Sequence, residues 1–221
     1  MAEDYDAANA SIGQAHRQRF IRGLEYFSCP GDARVLNIWS RIGGAVPYLR
    51  KRFPNGRLVH CEVSGRMIEM ARGRFPDEDF RQTDLLHLPF DDRSFDAVLS
   101  LETLEHAPDP FGFLCELHRV LKPSGELVLS CPSAAAEPLL RVYELFRHNH
   151  GEGPHRFPWS WCVKAMLRDA GFRLIDHRGT VFLPFASDAW AGINRVLERT
   201  LGRTPIGEIG IRQFYYGRSK R

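Results

Sequence analysis

The chain has 221 residues, 43% of them hydrophobic and 26% charged, with a formal net charge of +3. That length supports one domain with a sizeable core, and the composition is that of a globular protein, not a disordered one. The charge is too small and too scattered to indicate a nucleic-acid partner, and no apolar run approaches the roughly 18 residues of a membrane span. The acidic, polar N-terminus lacks the apolar stretch of a secretory signal. Cys29, Cys61, Cys115, Cys131 and Cys162 are odd in number, widely spaced and free of any C-x-x-C pair. They predict buried, reduced thiols in a cytoplasmic protein.

In chain order, residues 12–27 predict a leading helix with Ile12, Phe20, Ile21, Leu24 and Phe27 on one face. Val35–Trp39 predicts a first strand, residues 44–53 a helix that tolerates Pro47 in its first turn, and Arg57–Glu62 a second strand. Ser64 is placed to cap a helix running to Arg74. A short third strand precedes Asp84, and Ser94–Leu101 forms a fourth. Residues 110–121 predict a helix that turns Phe111, Phe113, Leu114, Leu117, Val120 and Leu121 inward and stops at Lys122-Pro123-Ser124-Gly125. Glu126–Cys131 is a fifth strand. Beyond Pro132 come a helix at 135–147, a polar loop at 148–155 and a helix at 159–169. A sixth strand starts at Phe172, a helix spans about 187–201, and the last strand lies near 211–217, with Tyr215 and Tyr216 as sheet packing. The closing Arg218-Ser219-Lys220-Arg221 reads as a solvated basic tail. Strands alternating with helices imply βαβ units and a mainly parallel sheet.

Several segments carry more than periodicity. Asp84 through Val98 contains Leu88-Pro89-Phe90 and Phe95-Asp96-Ala97-Val98. Leu104-Glu105-His106 follows, then Glu116 through Gly125, which includes Arg119-Val120-Leu121-Lys122-Pro123-Ser124-Gly125. His155-Arg156-Phe157 and Ala170-Gly171-Phe172 come later. In this pattern the chain, from about residue 17 onward, resembles the class I S-adenosylmethionine-dependent methyltransferases, specifically the type 11 group. Ser124 stands where that group usually has glycine. The resemblance implies an α/β, Rossmann-like, seven-stranded mixed sheet, six strands parallel and one antiparallel, flanked by helices. It implies one domain over residues 1–221, with a helical cap at 1–28 and a lid on the acceptor side at 133–160.

The resemblance also implies a cofactor, S-adenosylmethionine, and the residues that hold it. Asn37 stands where an acid supports the methionine end. Glu62 accepts from the ribose hydroxyls, Asp84 from the adenine amine, and Leu85 lies beside the ring. Ser100 and Leu101 line the methionine side, and Gly43 is the surviving glycine of the first loop. That loop normally reads acid-x-Gly-x-Gly-x-Gly; here it is Asn37-Ile38-Trp39-Ser40-Arg41-Ile42-Gly43. Loop glycines permit unusual backbone angles and close approach to a ligand. An Arg41 guanidinium ~4 Å from a sulfonium, at an effective dielectric near 20, costs on the order of 4 kcal/mol.

Three outcomes follow from Trp39 and Arg41. The loop takes another path and methyl transfer survives; or Trp39 occludes the site and the protein is a catalytically silent binding or partner subunit; or the pocket serves another ligand. For catalysis, His106 after strand 4 is the general-base candidate, against a structural histidine. His155, Arg156 and Trp159 are candidates for the acceptor side, against simple packing of the lid. His148, His150, His155 and Glu152 match no metal-ligand spacing, so no metal is expected. The acceptor expected is a small molecule, glycan or lipid-like compound.

Overall fold

The structure, a computed structural model, describes residues 17–137, 158–182 and 188–220. Helical residues 17–24 form α1. They lead into β1 (Arg34–Ile38), α2 (Val46–Arg52), β2 (Arg57–Glu62), α3 (Gly65–Arg74), β3 (Asp79–Gln82) and β4 (Phe95–Leu101). Then come α4 (Pro110–Val120), β5 (Leu121–Pro132), α5 (Ser160–Asp169), β6 (Phe172–Thr180), α6 (Asp188–Leu201) and β7 (Arg212–Ser219). One sheet of seven strands runs in the order β3-β2-β1-β4-β5-β7-β6. Only β7 is antiparallel to its neighbours. The expected architecture is therefore present.

Period-two alternation sorts the strands between two layers. Leu36, Ile38, Val98, Leu127, Leu129 and Tyr215 face the layer built by α4 and α5. Val35, Ala97, Leu99, Val128, Phe214 and Tyr216 face α1 and α2. Covered on both faces, the central strands read as continuous apolar runs, as parallel strands should. The chain winds outward from β1 to β3 and then back to β4 and β5. The reversal opens a crevice beyond the carboxyl ends of β1 and β4, where ligands bind in sheets of this kind.

Local chemistry explains the element ends. The Ser64 hydroxyl accepts from Met67 N–H at 3.4 Å, capping α3 as expected. Asp109 caps α4, its Oδ1 accepting from Phe111 and Gly112 N–H at 3.1 and 3.0 Å, with Pro110 in the first turn. Gly171 ends α5 at φ +98°, where a Cβ would stand 2.7 Å from the His118 ring.

Four expectations need correction. Phe111 is exposed, because its position lies one residue off the stripe that packs on the sheet. Not all thiols are buried: all five cysteines are free, Cys61 and Cys131 are buried, and Cys162 is exposed. The Lys122–Gly125 segment does not simply interrupt. Strand β5 already pairs with Phe95 at Leu121 and resumes at Glu126 across an irregularity. Nor is the end a frayed tail, since β7 runs to Ser219 and Arg218 pairs with buried Glu126 at 3.0 Å.

Candidate active site

The loop from β1 into α2 decides how the crevice is built. Trp39, Arg41 and Gly43 all have positive φ, at 59°, 53° and 83°. Those are the three positions where the methyltransferase pattern has glycine. The loop thus carries left-handed backbone at all three, with side chains on two of them. Each costs roughly 1–2 kcal/mol.

Glu62 holds the loop in place. It ends β2, is 2% exposed, and its Oε2 accepts from Arg41 N–H at 2.8 Å. Its Oε1 accepts from Val63 and Ser64 N–H at 3.0 and 3.1 Å. Two lone pairs per oxygen leave one acceptor position, on Oε2. The arrangement leaves room for one ribose hydroxyl, not the expected pair. Gly43 is needed for a local reason as well, because a Cβ there would lie 2.8 Å from the Phe75 ring.

The side chains of the loop turn toward β4. The Trp39 indole stacks on the His106 imidazole with centroids 5.2 Å apart and planes 3° from parallel. The Arg41 guanidinium carbon sits 4.6 Å from the Trp39 ring centroid. His106 ends a 3-10 turn, Leu104–His106, that follows β4. Ring and cation thus gather where β1 and β4 end.

Asn37 does not point toward a ligand. Its amide bonds buried His60 at 3.1 Å (Nδ2 to Nδ1), and His60 Nε2 lies 3.3 Å from Glu78. Arg50 grips Glu78 with two nitrogens, at 2.5 and 2.7 Å. Burial pushes Glu78 up, but its bonds to His60 and Arg50 hold it down at about 2. Asp84 is exposed; one carboxylate oxygen accepts from Leu86 N–H at 2.7 Å, and buried Leu85 stands beside it. Ser100 is fully buried on β4, whereas Leu101 faces the opposite layer, against Leu24 of α1. Successive strand residues cannot line one side, which corrects the expectation that both do.

Glu102 and Glu105 went unremarked as chemistry in the sequence, although two acids three apart, directly after an apolar strand and beside His106, were a readable signal. Glu102 stands at φ 54° and pairs with Arg19 and Arg212. Glu105 is 6% exposed, and its Oε2 has no hydrogen-bond partner. Burial, and after it the Glu102 carboxylate, pushes Glu105 up to about 8, so it carries a proton at neutral pH.

Among the described residues, several of the other buried polar atoms without partners gather at the carboxyl ends of β1, β4 and β5 or the turns after them: Trp39 Nε1, Ser40 Oγ, Ser100 Oγ, Thr103 Oγ1 and Ser130 Oγ. Buried polar groups are normally bonded, so this end of the sheet holds capacity for a polar ligand. That capacity, the left-handed loop and the open carboxylate of Asp84 fit a nucleoside cofactor with a polar tail.

Trp159 precedes α5, is 46% exposed and stacks on Trp161. His155 and Arg156, like His148, His150 and Glu152, lie outside the described residues.

Comparison with known proteins agrees with this geometry. A family model described as a methyltransferase domain, type 11, matches residues 40–129. The demethylmenaquinone methyltransferase of Tropheryma whipplei (strain Twist) is 41% identical over 152 residues, 65% of this chain and 62% of that protein. The chain thus spans less than two thirds of that relative's length. The demethylmenaquinone methyltransferase of Clavibacter sepedonicus is 32% identical over 198 residues, 79% of this chain and 80% of that one. Among solved structures, the putative methyltransferase bound to the Haloferax volcanii Trm112 activator superposes with a TM-score of 0.70 at 24% identity, covering 99% of this chain and 97% of that one. With its strand order, its left-handed first loop and these relatives, the chain belongs to the class I S-adenosylmethionine-dependent methyltransferases of the type 11 group.

Proposed function

We propose that the protein transfers a methyl group from S-adenosylmethionine to a small, lipid-like acceptor. The observation that carries this reading is the backbone after β1, which is left-handed at Trp39 and Arg41, two positions where the family pattern has glycine. Strained backbone of this kind clusters at ligand-binding sites. The cofactor, when bound, supplies a methyl on a positively charged sulfur that leaves as a neutral thioether.

The chain's own residues then have these roles. The remaining lone pair of Glu62 takes one ribose hydroxyl, Asp84 accepts from the adenine amine, and Leu85 covers the ring. Ser100 and the loop ending in Gly43 hold the methionine end, with Arg41 on its carboxylate. Asn37 acts at one remove, fixing His60. His106 is placed to receive a proton lost by the acceptor as the new bond forms. Residues 133–160, with His155, Arg156 and Trp159, form the acceptor-side lid, and residues 1–28 a cap. Demethylmenaquinone, named for both relatives, is the first acceptor to try. The free cysteines support a cytoplasmic location.

Calorimetry with S-adenosylmethionine and its demethylated product, followed by transfer of a labelled methyl to a short-chain demethylmenaquinone in detergent, tests the reading. Absence of binding at millimolar cofactor overturns it. One observation favours a second reading, a silent partner subunit: the Trp39 ring, stacked between β1 and β4 with Arg41 against it, takes up space there. Under that reading the double variant Trp39→Gly/Arg41→Gly binds the cofactor and the natural chain does not.

A further inference from the structure

A second feature lies on the outer side of the sheet, along α5. The buried side of this helix is Ser160, Val163 and Leu167, which pack inward. Its other side carries Trp161, Lys164 and Arg168 at spacings of three and four, in one line along the helix. Trp161 is 59% exposed and stacks on Trp159 with centroids 4.6 Å apart. Below the pair runs an open groove of about 470 Å³ between α5 and the edge strand β6. Trp161, Lys164, Arg168, Arg173 and Lys220 line it, and no carboxylate does among the described residues.

Neighbouring carboxylates answer only part of that charge. Lys164 bonds Glu208 at 2.7 Å and Arg168 bonds Asp169 at 2.8 Å. Arg173 and Lys220 form no ion pair among the described residues. Two large aromatic rings therefore stand in solvent above a surplus of positive charge. Soluble surfaces rarely leave paired indoles exposed without a use. An indole combines an apolar body with one N–H donor and settles at the level of lipid headgroups. Cations beside it gain from an anionic leaflet. Ala134 N–H bonds Pro158 C=O at 3.3 Å, which places the tryptophan pair by the carboxyl end of β5, and the groove runs along α5 from there to Arg173 and Lys220 at the opposite end of the sheet.

We infer that the Trp159–Trp161 pair and the basic groove of α5 and β6 form a docking surface for an anionic lipid bilayer. The protein touches the membrane by this face without crossing it, since no helix among the described residues is long and apolar enough to span. Docking of this kind does not require methyl transfer, so the two can fail separately.

The test is co-sedimentation of the full chain with vesicles of phosphatidylglycerol and phosphatidylcholine, and with phosphatidylcholine alone. Binding is expected only on the anionic vesicles and is expected to fall steeply as salt rises to about 0.5 M. Arg173→Gln/Lys220→Gln should weaken it about fivefold per cation, roughly 30-fold together. Trp159→Ala/Trp161→Ala should weaken it about tenfold or more at fixed charge. Both pairs are solvent-facing, so circular dichroism should show each variant folded. No binding to anionic vesicles, equal binding to both compositions, or unchanged binding by both variants overturns the inference. If salt-sensitive retention instead requires a proteinaceous acidic partner and vesicles do not bind, it is overturned in favour of a protein interface.

Discussion

The two halves of the crevice treat their charged and amide groups differently. On the β1–β3 side the protein bonds these itself: Glu62 takes three backbone N–H groups, Asn37 is given to His60, and Asp84 accepts from Leu86, although Trp39 Nε1, Ser40 Oγ and Thr83 Oγ1 have no partner among the described residues. On the β4–β5 side Ser100, Thr103, Glu105 and Ser130 all keep a buried atom with no partner. Self-satisfied groups make a rigid wall that exists before any ligand arrives. Orphaned groups lose stability until something bonds them, which is the usual trade at a functional site. The first half is thus largely built before a ligand arrives, and the second keeps more unused hydrogen-bonding capacity.

Substitution can break or sharpen this contrast. The largest effect is expected from Glu62→Ala. Three donors lose their acceptor in a buried site, costing about 3–5 kcal/mol of stability. Urea denaturation should show a lower midpoint, and calorimetry a loss of cofactor binding. A loss below 1 kcal/mol means that the loop holds itself without Glu62.

Next comes Glu105 and pH. Its folded-state pKa, about 8, lies above the ordinary carboxylate value of 4.5. Its contribution is therefore fully present below the unfolded pKa and is lost as pH rises through the folded one. The window runs from about pH 4.5 to about pH 8, over which stability should fall by on the order of 4–5 kcal/mol. Glu105→Gln should remove that slope and be the more stable form at pH 8. Parallel slopes in the two proteins would show that Glu105 is ionised in the fold. Glu78 works in the reverse sense: held at about 2, it contributes stability that is fully present above its unfolded value of 4.5 and is lost as pH falls from there through the folded value.

Gly43→Ala ranks third. The new Cβ meets the Phe75 ring at 2.8 Å on a backbone with φ +83°, so left-handed strain and overpacking add to about 2–4 kcal/mol. The melting temperature should drop by roughly 5–15 °C. Smallest, and opposite in sign, is Ser124→Gly. Ser124 sits at φ 65°; relief of about 1–2 kcal/mol of strain is offset by glycine's entropy cost of about 0.5–1 kcal/mol. A net gain near 0.5 kcal/mol should raise the melting temperature by 1–2 °C. A drop instead would mean that the serine side chain contributes more than the strain it carries.

Much was legible in the chain itself. Apolar runs bounded by Pro54-Asn55-Gly56 and Pro123-Ser124-Gly125, with Ser64 opening a helix, are local signals. They predicted strands, helices and their order because period and capping act within a few residues. Glu62 and Asp84 could be picked out only through the family resemblance, and His106 from its place in the turn after the fourth strand. Other features depended on partners far along the chain. The left-handed Arg41 is held through its N–H by Glu62, more than 20 residues away. Glu62's near-saturation, the turning of Asn37 to His60 and the stacking of Trp39 on His106 follow from which strands lie side by side. The amino-acid order thus determined the sheet and the end of it that carries the site. Tertiary packing alone decided where each side chain spends its hydrogen bonds, because buried donors and acceptors are matched in space and not along the sequence.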